Sequence, residues 1–104
     1  MLKINFEFRK GIFFIRLIGE LSKETSIQFE NELKTLIVDN KFKYIVINTN
    51  YLKTIDLNGL NYLTKICYIA YENESNLVIC DKSNVLKTLL NETVPNIKDE
   101  LEVL

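Results

Sequence analysis

Residues 44–47 (YIVI) constrain the fold of this chain more than any other segment, because four apolar side chains follow one another with no polar residue between them. Successive side chains of a strand point to opposite faces of its sheet, so an unbroken apolar run predicts a strand that is covered on both faces. Such strands are typical of parallel sheets with helices packed on them. We therefore expect an α/β domain in which residues 43–48 form a buried strand.

The N-terminal residues predict an antiparallel hairpin. Residues 2–8 alternate apolar and polar side chains, which is the pattern of a half-buried strand. Residues 9–11 (RKG) predict a tight turn, and the more apolar residues 12–19 predict a second strand that ends at Gly19. Later in the chain, residues 77–80 (LVIC) predict another short buried strand.

Apolar residues at helical spacing predict two amphipathic helices between these strands. The first follows Ser22, a candidate N-cap, carries Glu24 in its first turn and stops near Asp39. The second begins within residues 55–60 (IDLNGL) and ends near Glu72. The residues expected to face the core are Phe29, Leu33, Leu36 and Ile37 in the first helix and Leu60, Leu63, Ile66, Cys67 and Ala70 in the second.

A third helix is predicted near the end of the sequence. Ser83 is its candidate N-cap, and Pro95 blocks its continuation. Its inward-facing residues are Val85, Leu86, Leu89 and Leu90. Residues 101–104 (LEVL) predict either a short edge strand or an ordered tail. Residues 1–104 are thus expected to form one α/β domain, a mainly parallel sheet with an N-terminal antiparallel hairpin and helices packed on it.

Charge and hydropathy argue against two classes of partner. Thirteen Lys and Arg residues oppose 14 Asp and Glu residues, which gives a formal net charge of −1. The basic residues form no block that could neutralise phosphates, so no nucleic acid is expected as a partner. No segment approaches the roughly 18 consecutive apolar residues of a membrane-spanning helix. We therefore expect no membrane insertion and a cytoplasmic protein.

The residue types also argue against catalysis. The chain contains no His, which removes the commonest general base and the commonest metal ligand. Cys67 and Cys80 are spaced unlike the cysteines of a metal site, and both are expected to be buried thiols. We therefore expect no enzyme activity, no metal and no cofactor.

The most informative stretch is residues 51–60, at the start of the second helix. A loop containing Asn50, Tyr51 and Thr54 is expected to lead into it from the buried strand. Sites in α/β domains commonly lie at the carboxyl ends of parallel strands, and the first backbone amides of a helix have no intrahelical partners. The junction is therefore a candidate binding site.

Two interpretations of this junction stay open. In one, Asp56 or Asn58 accepts hydrogen bonds from the free amides and Gly59 relieves crowding, so the residues only cap the helix. In the other, the partial positive charge of the helix start binds an anion or an oxygen acceptor of a ligand or partner.

Four segments resemble the landmarks of STAS domains, namely residues 13–21 (FFIRLIGEL), 44–48 (YIVIN), 54–60 and 77–80. They occur in order and at matching spacing over nearly the whole chain. The similarity is strongest to the small stand-alone anti-sigma factor antagonists of bacteria. This resemblance implies a STAS-like fold and a protein-binding module. Its partner would be an anti-sigma factor that is also a serine kinase, and phosphorylation of the antagonist on Ser or Thr would abolish binding.

The resemblance also places the family's switch, Asp-Ser-Ser/Thr-Gly-Leu, on residues 56–60 (DLNGL). Leu57 replaces the first Ser, and Asn58 replaces the phosphoacceptor. A carboxamide has no hydroxyl that can take a phosphate, so we expect no phosphorylation at Asn58 and a permanent likeness to the unphosphorylated, binding-competent form. Thr54 lies four positions earlier and is interpreted as a hydrogen-bonding loop residue rather than a substitute acceptor.

The candidate partner-binding residues are Asp56, Leu57, Asn58, Gly59, Asn61, Tyr62 and Lys65. Partly apolar aromatic residues are enriched at interfaces, although surface tyrosines are also common outside them. Two other functions remain open, a STAS subunit of a larger lipid-transport or stress-signalling assembly and a sensor of a small ligand at the helix start. The sequence leaves the oligomeric state open.

Overall fold

The computed structural model describes residues 1–81 and 97–98. They form β1 (Leu2–Arg9), β2 (Ile12–Leu21), α1 (Lys23–Asn40), β3 (Tyr44–Ile55), α2 (Leu57–Glu72), β4 (Asn76–Cys80) and β5 (Ile97–Lys98). The predicted third helix, with Ser83, Val85, Leu86, Leu89, Leu90 and Pro95, lies outside the described residues, as does the predicted edge strand at 101–104. Neither helix in the described part is long and apolar enough to cross a membrane.

The five strands form one sheet in the order β1-β2-β3-β4-β5. β1 and β2 are antiparallel, whereas β2 to β5 run parallel to one another. The hairpin turns at Lys10 and Gly11, whose φ values of 52° and 80° belong to a turn that matches the twist of the strands. The predicted α/β class, a mainly parallel sheet with an N-terminal antiparallel hairpin, is confirmed. The short β5 beside β4 was not predicted.

Both described helices cover the same face of the sheet. The strand residues of this main core are Leu2, Phe13, Ile15, Leu17, Leu21, Ile45, Ile47, Leu77 and Ile79. Phe29, Leu33, Ile37, Leu63, Ile66 and Ala70 of the helices pack on them. Leu36, Leu60 and Cys67 are half-buried at the margin of the cluster. The predicted helical stripes are therefore confirmed, with these three residues less buried than the rest.

The opposite face of the sheet carries a smaller cluster of Phe14, Val46 and Cys80. β3 is therefore covered on both faces over residues 45–47, as the apolar run predicts. Tyr44 departs from this prediction because 45% of it is exposed. It begins the strand, where less structure covers it.

β3 is longer than predicted and includes the expected loop at Asn50, Tyr51 and Thr54. β2 continues beside it as far as the pair Leu21 and Ile55, so parallel pairing extends over these residues. Two register shifts in that pairing interrupt the alternation by which a strand is recognised in a sequence. The loop prediction is wrong for this reason.

β2 likewise continues past Gly19, which the sequence predicted as its end. Gly19 has a φ of +109°, a conformation that L side chains rarely adopt. A Cβ at this position would lie 2.2 Å from the carbonyl oxygen of Met1. A register shift between β2 and β3 directly follows Gly19, so the glycine marks an irregularity inside the strand rather than its end.

We expect Gly19→Ala to destabilise the domain more than Gly11→Ala. Both glycines have positive φ, so each substitution costs about 1 kcal/mol or more of backbone strain. A Cβ at Gly11 meets no atom within 4 Å, whereas the Cβ at Gly19 also collides with Met1. The loss at Gly19 should reach roughly 2 to 4 kcal/mol in urea unfolding. Equal losses in the two variants would contradict the close approach at Gly19.

Candidate partner-binding site

The carboxylate of Asp56 joins the N-termini of the two described helices. Asp56 is the N-cap of α2, and its Oδ1 accepts a hydrogen bond from the Gly59 amide at 2.8 Å. Its Oδ2 accepts a hydrogen bond from the amide of Lys23, the first residue of α1, at 3.1 Å. One side chain thus satisfies a free amide of each helix and fixes the two helix starts beside each other.

These bonds favour the ionised form of Asp56. The hydrogen bond from the Gly59 amide contributes most and that from the Lys23 amide comes next, and they hold the pKa of the Asp56 carboxyl below its usual value. The charge also lies where both helix dipoles are positive. Asp56 therefore caps the helix, as one of the two interpretations predicted. It occupies amides that an anionic ligand would otherwise use.

Gly59 is buried against the end of β2. A Cβ at this position would lie 2.1 Å from the carbonyl oxygen of Leu21 and 2.7 Å from its carbonyl carbon. The amide of Asp56 donates a hydrogen bond to the same carbonyl oxygen at 3.2 Å. Gly59, predicted among the partner-binding residues, is thus a packing residue that lets α2 begin in backbone contact with β2.

Ser22 occupies the N-cap position of α1. Its backbone amide donates a hydrogen bond to Thr25 Oγ1 at 2.9 Å, and the Thr25 hydroxyl donates to the Glu20 carbonyl at 2.8 Å. The Ser22 hydroxyl donates to the Glu24 carboxylate at 2.9 Å. The first turn of α1 is thereby tied to the last residues of β2.

The exposed side chains in the first two turns of the helices that Asp56 joins include two apolar residues and a neutral amide. Leu57 is 71% exposed and Ile27 is 63% exposed. Asn58 is exposed, and its carboxamide makes no hydrogen bond within the described part of the chain. We call Ile27, Leu57 and Asn58 the helix-start surface. Sequence reasoning missed Ile27, although an apolar residue off the buried stripe of α1 is the signal that could have found it.

The other predicted contact residues on α2 differ in their availability. Asn61 is exposed, whereas Tyr62 is half-buried and packs against the main core. Lys65 Nζ lies 2.6 Å from Glu30 Oε1 on α1 and 5.6 Å from the centre of the Tyr62 ring. The pair with Glu30 also raises the pKa of Lys65. Lys65 therefore has an ion-pair partner on α1, although half of its side chain remains exposed.

The helix-start surface consists of exposed apolar and amide side chains. Residues 1–81 contain no group of three or more His, Cys, Asp or Glu side chains placed to hold a metal ion. Cys80 is buried, and burial raises the pKa of the half-buried Cys67 thiol to about 12. That thiol stays protonated at neutral pH and is a poor nucleophile. The helix-start surface presents apolar area and a neutral amide, which are typical of a protein interface.

We expect Asp56→Asn to lower the stability of the domain at neutral pH, with the deficit shrinking in acid. A depressed pKa contributes stability that is fully present above the unfolded-state value of 3.8 and is lost as the pH falls through the lower folded value. Asn cannot ionise, so the variant lacks this contribution at every pH. Urea midpoints measured from pH 7 down to pH 3 test this expectation.

Asp39→Asn is the matched control, because it removes an exposed carboxylate in the last turn of α1. Its urea midpoints should follow those of the wild type. A constant gap between Asp56→Asn and the wild type over the whole pH range would show that ionised Asp56 does not stabilise the helix starts.

Solved structures share the fold of this chain. The anti-sigma factor antagonist SpoIIAA in its unphosphorylated form has a TM-score of 0.78 at 17% identity, with 97% of this chain and 90% of that chain covered. The phosphorylated form of SpoIIAA, a Bacillus cell fate determinant, has a TM-score of 0.79 at 18% identity, with coverage of 96% and 93%. An anti-sigma factor antagonist from Mycobacterium paratuberculosis has a TM-score of 0.76 at 19% identity, with coverage of 97% and 88%.

Sequence comparison agrees with the structural likeness. A relative named anti-sigma F factor antagonist, from Paenibacillus polymyxa, is 24% identical over 90 residues, which cover 86% of this chain and 77% of the relative. The family model of the STAS domain matches residues 3–94. The resemblance found in the sequence is thereby confirmed, and this chain belongs to the STAS domain family.

Proposed function

We propose that this chain is an anti-sigma factor antagonist whose helix-start surface docks on an anti-sigma factor of the serine-kinase type. The observation that carries the proposal is the exposure of Leu57 and Asn58 at the start of α2, where the family's phosphoacceptor would stand. The relative from Paenibacillus polymyxa, which bears the name anti-sigma F factor antagonist, supports it.

The physical character of the helix-start surface favours a protein partner. Ile27 and Leu57 expose apolar side chains on two helices whose starts are joined by hydrogen bonds to Asp56. Burying such side chains on docking contributes about 25 cal/mol per Å² of apolar area, and a rigid scaffold loses little conformational entropy. A small anionic ligand is disfavoured, because Asp56 already engages amides of both helices and would repel the charge.

Asn58 makes the proposed antagonist independent of phosphorylation at the family position. A kinase transfers a phosphoryl group to a hydroxyl oxygen, and the carboxamide of Asn58 offers none. SpoIIAA, by contrast, is known in both an unphosphorylated and a phosphorylated form. Because the side chain of Asn58 is neutral, the helix-start surface does not acquire the charge of about −1.5 to −2 that a phosphate adds. Abundance of the chain, or another input, then sets its activity.

The proposal is tested first by capture of partners. The purified chain is used as bait in a lysate of its source cells, and bound proteins are identified by mass spectrometry. An anti-sigma factor with a kinase domain should be retained by the wild type. Retention should be lost in Leu57→Asp but kept in Tyr71→Asp, which alters an exposed residue near the other end of α2. Capture of a lipid-transport or scaffold protein instead would favour the alternative of a subunit in a larger assembly.

Incubation with ATP and the captured kinase should leave the wild-type chain unmodified, because Asn58 has no hydroxyl. Asn58→Ser should gain one phosphate, because the serine hydroxyl supplies the missing acceptor at the same exposed position. Intact-mass measurement followed by peptide mapping checks both results. Thr54→Ala in the Asn58→Ser background is the control, and it should not change the yield. A phosphate on the wild type within residues 54–58 would contradict this interpretation of the switch.

Asn58→Asp should separate folding from binding. A carboxylate in the first turn of a helix contributes on the order of 0.3 to 1 kcal/mol of stability, so the melting temperature should be maintained. Docking would desolvate the added charge without a partner, and affinity for the captured protein should fall by at least about tenfold. Asn31→Asp makes the same change at an exposed position of α1 outside the helix-start surface and should bind normally. If the wild type, Asn58→Asp and Asn31→Asp bound the captured protein with equal calorimetric affinity, the docking surface would lie elsewhere.

A further inference from the structure

β1 leaves one long edge of the sheet without a neighbouring strand among the described residues. Its pairing with β2 runs from Leu2 and Gly19 to Arg9 and Ile12 with no register shift. β1 contains no proline, and no bulge turns the edge away. An edge of this kind is a template for pairing with another strand.

The hairpin fixes which backbone groups of β1 point outward. In a two-residue hairpin the residues that flank the turn, Arg9 and Ile12, form a hydrogen-bonded pair. Alternate residues of β1 therefore bond to β2, and the even-numbered residues direct their amides and carbonyls away from the sheet. The carbonyl of Leu2 shows this direction, because it accepts a hydrogen bond from Gln28 Nε2 at 3.1 Å. Ile4 and Phe6 occupy the middle of the outward row.

We infer that β1 pairs with β1 of a second copy of this chain, antiparallel and centred on Asn5. This register places Ile4 opposite Phe6 of the other copy, so that outward-pointing groups meet and exchange four backbone hydrogen bonds across the two-fold axis. On the opposite face it places Lys3 across from Glu7. Opposite charges that face each other across a strand pair attract, and the symmetry makes this contact twice.

Charge distinguishes this register from its neighbours. Centring the pair on Phe6 would place Lys3 opposite Arg9, two like charges. Centring it on Glu7 would place two carboxylates opposite each other. Centring it on Ile4 would leave Lys3 opposite the neutral Asn5 and shorten the paired segment. The Asn5 register is the one among these four in which the charged side chains are complementary.

The apolar side of β1 supports the same pairing. Phe6 is 39% exposed and Phe8 is 60% exposed, although both are part of an aromatic row. Phe6 stacks on Phe13 with ring centres 5.6 Å apart, and Phe13 stacks on Phe42 at 4.1 Å. Ile4 of a second copy, opposite Phe6, would cover part of the exposed ring. The pairing thus buries apolar area that the single chain leaves in water.

The inference does not depend on the proposed function. β1 shares no residue with the helix-start surface, so a dimer can form whether or not an anti-sigma factor binds. Failure of the self-pairing would leave the partner capture unaffected, and failure of the capture would leave the oligomeric state unchanged.

Sedimentation equilibrium over a range of concentrations tests the inference. The wild type should associate to twice the mass of one chain. Lys3→Glu and Glu7→Lys should each weaken association by about tenfold or more, because each turns two attractive contacts into two repulsive ones. Lys3→Glu is the cleaner of the two, because Glu7→Lys also removes the ion pair that Glu7 forms with Arg9 of its own chain. The double variant Lys3→Glu/Glu7→Lys restores opposite charges and should regain association. Lys34→Glu, an exposed charge reversal on α1, is the control and should associate like the wild type.

Two further outcomes would overturn the inference. One is a wild type that stays monomeric at all concentrations, which would leave the edge free for a strand of another protein. The other is a double variant as weak as the single variants. Phe6→Pro gives a check that does not involve charge. Proline has no amide N–H, so the variant loses a donor that the dimer needs, whereas the single chain does not use this outward amide to pair β1 with β2. The variant should be folded by circular dichroism and monomeric, and a folded dimer would also overturn the inference.

Discussion

One carboxylate between two helix starts is the constraint on which the site depends. β2 and β3 are parallel neighbours that end together at the pair Leu21 and Ile55. The helices that follow them must therefore begin side by side, with their positive dipole ends close to each other. The negative charge of Asp56 offsets this repulsion and satisfies an amide of each helix. The parallel topology thus brings two positive helix ends together, and the carboxylate of Asp56, which directly follows β3, compensates their charge.

Much of the fold could be predicted because its signals are local. The hairpin is encoded by the alternation of residues 2–8, by the turn at Lys10 and Gly11 and by the apolar run that follows, and the helices by apolar residues that recur at helical spacing. β3 exceeded its prediction because its second half depends on pairing with β2, and the register shifts hide that pairing from any local pattern. The prediction was wrong at Gly19 because this glycine, with its positive φ, lies inside the strand, whereas in the sequence it was interpreted as the end of the strand.

The site was predicted less completely than the fold. The place of Asp56 and Asn58 at the start of α2 follows from the order of strand and helix in the sequence. The second hydrogen bond of Asp56, to Lys23, joins residues that lie far apart in the sequence, as does the ion pair of Lys65 with Glu30. No local pattern reports such contacts. Lys65, which was predicted to face a partner, is exposed and also forms an ion pair with Glu30 of α1.

The residues at the start of α2 differ in how well the fold tolerates their substitution during evolution. Gly59 cannot gain a side chain while Leu21 stays where it is, because the two backbones touch. Leu57 and Asn58 project into solvent, and the packing of the domain does not depend on them. Substitutions at these two positions can therefore accumulate without loss of the fold. A lineage can exchange a regulated side chain for an unregulated one here in a single step, while the scaffold that presents it is preserved.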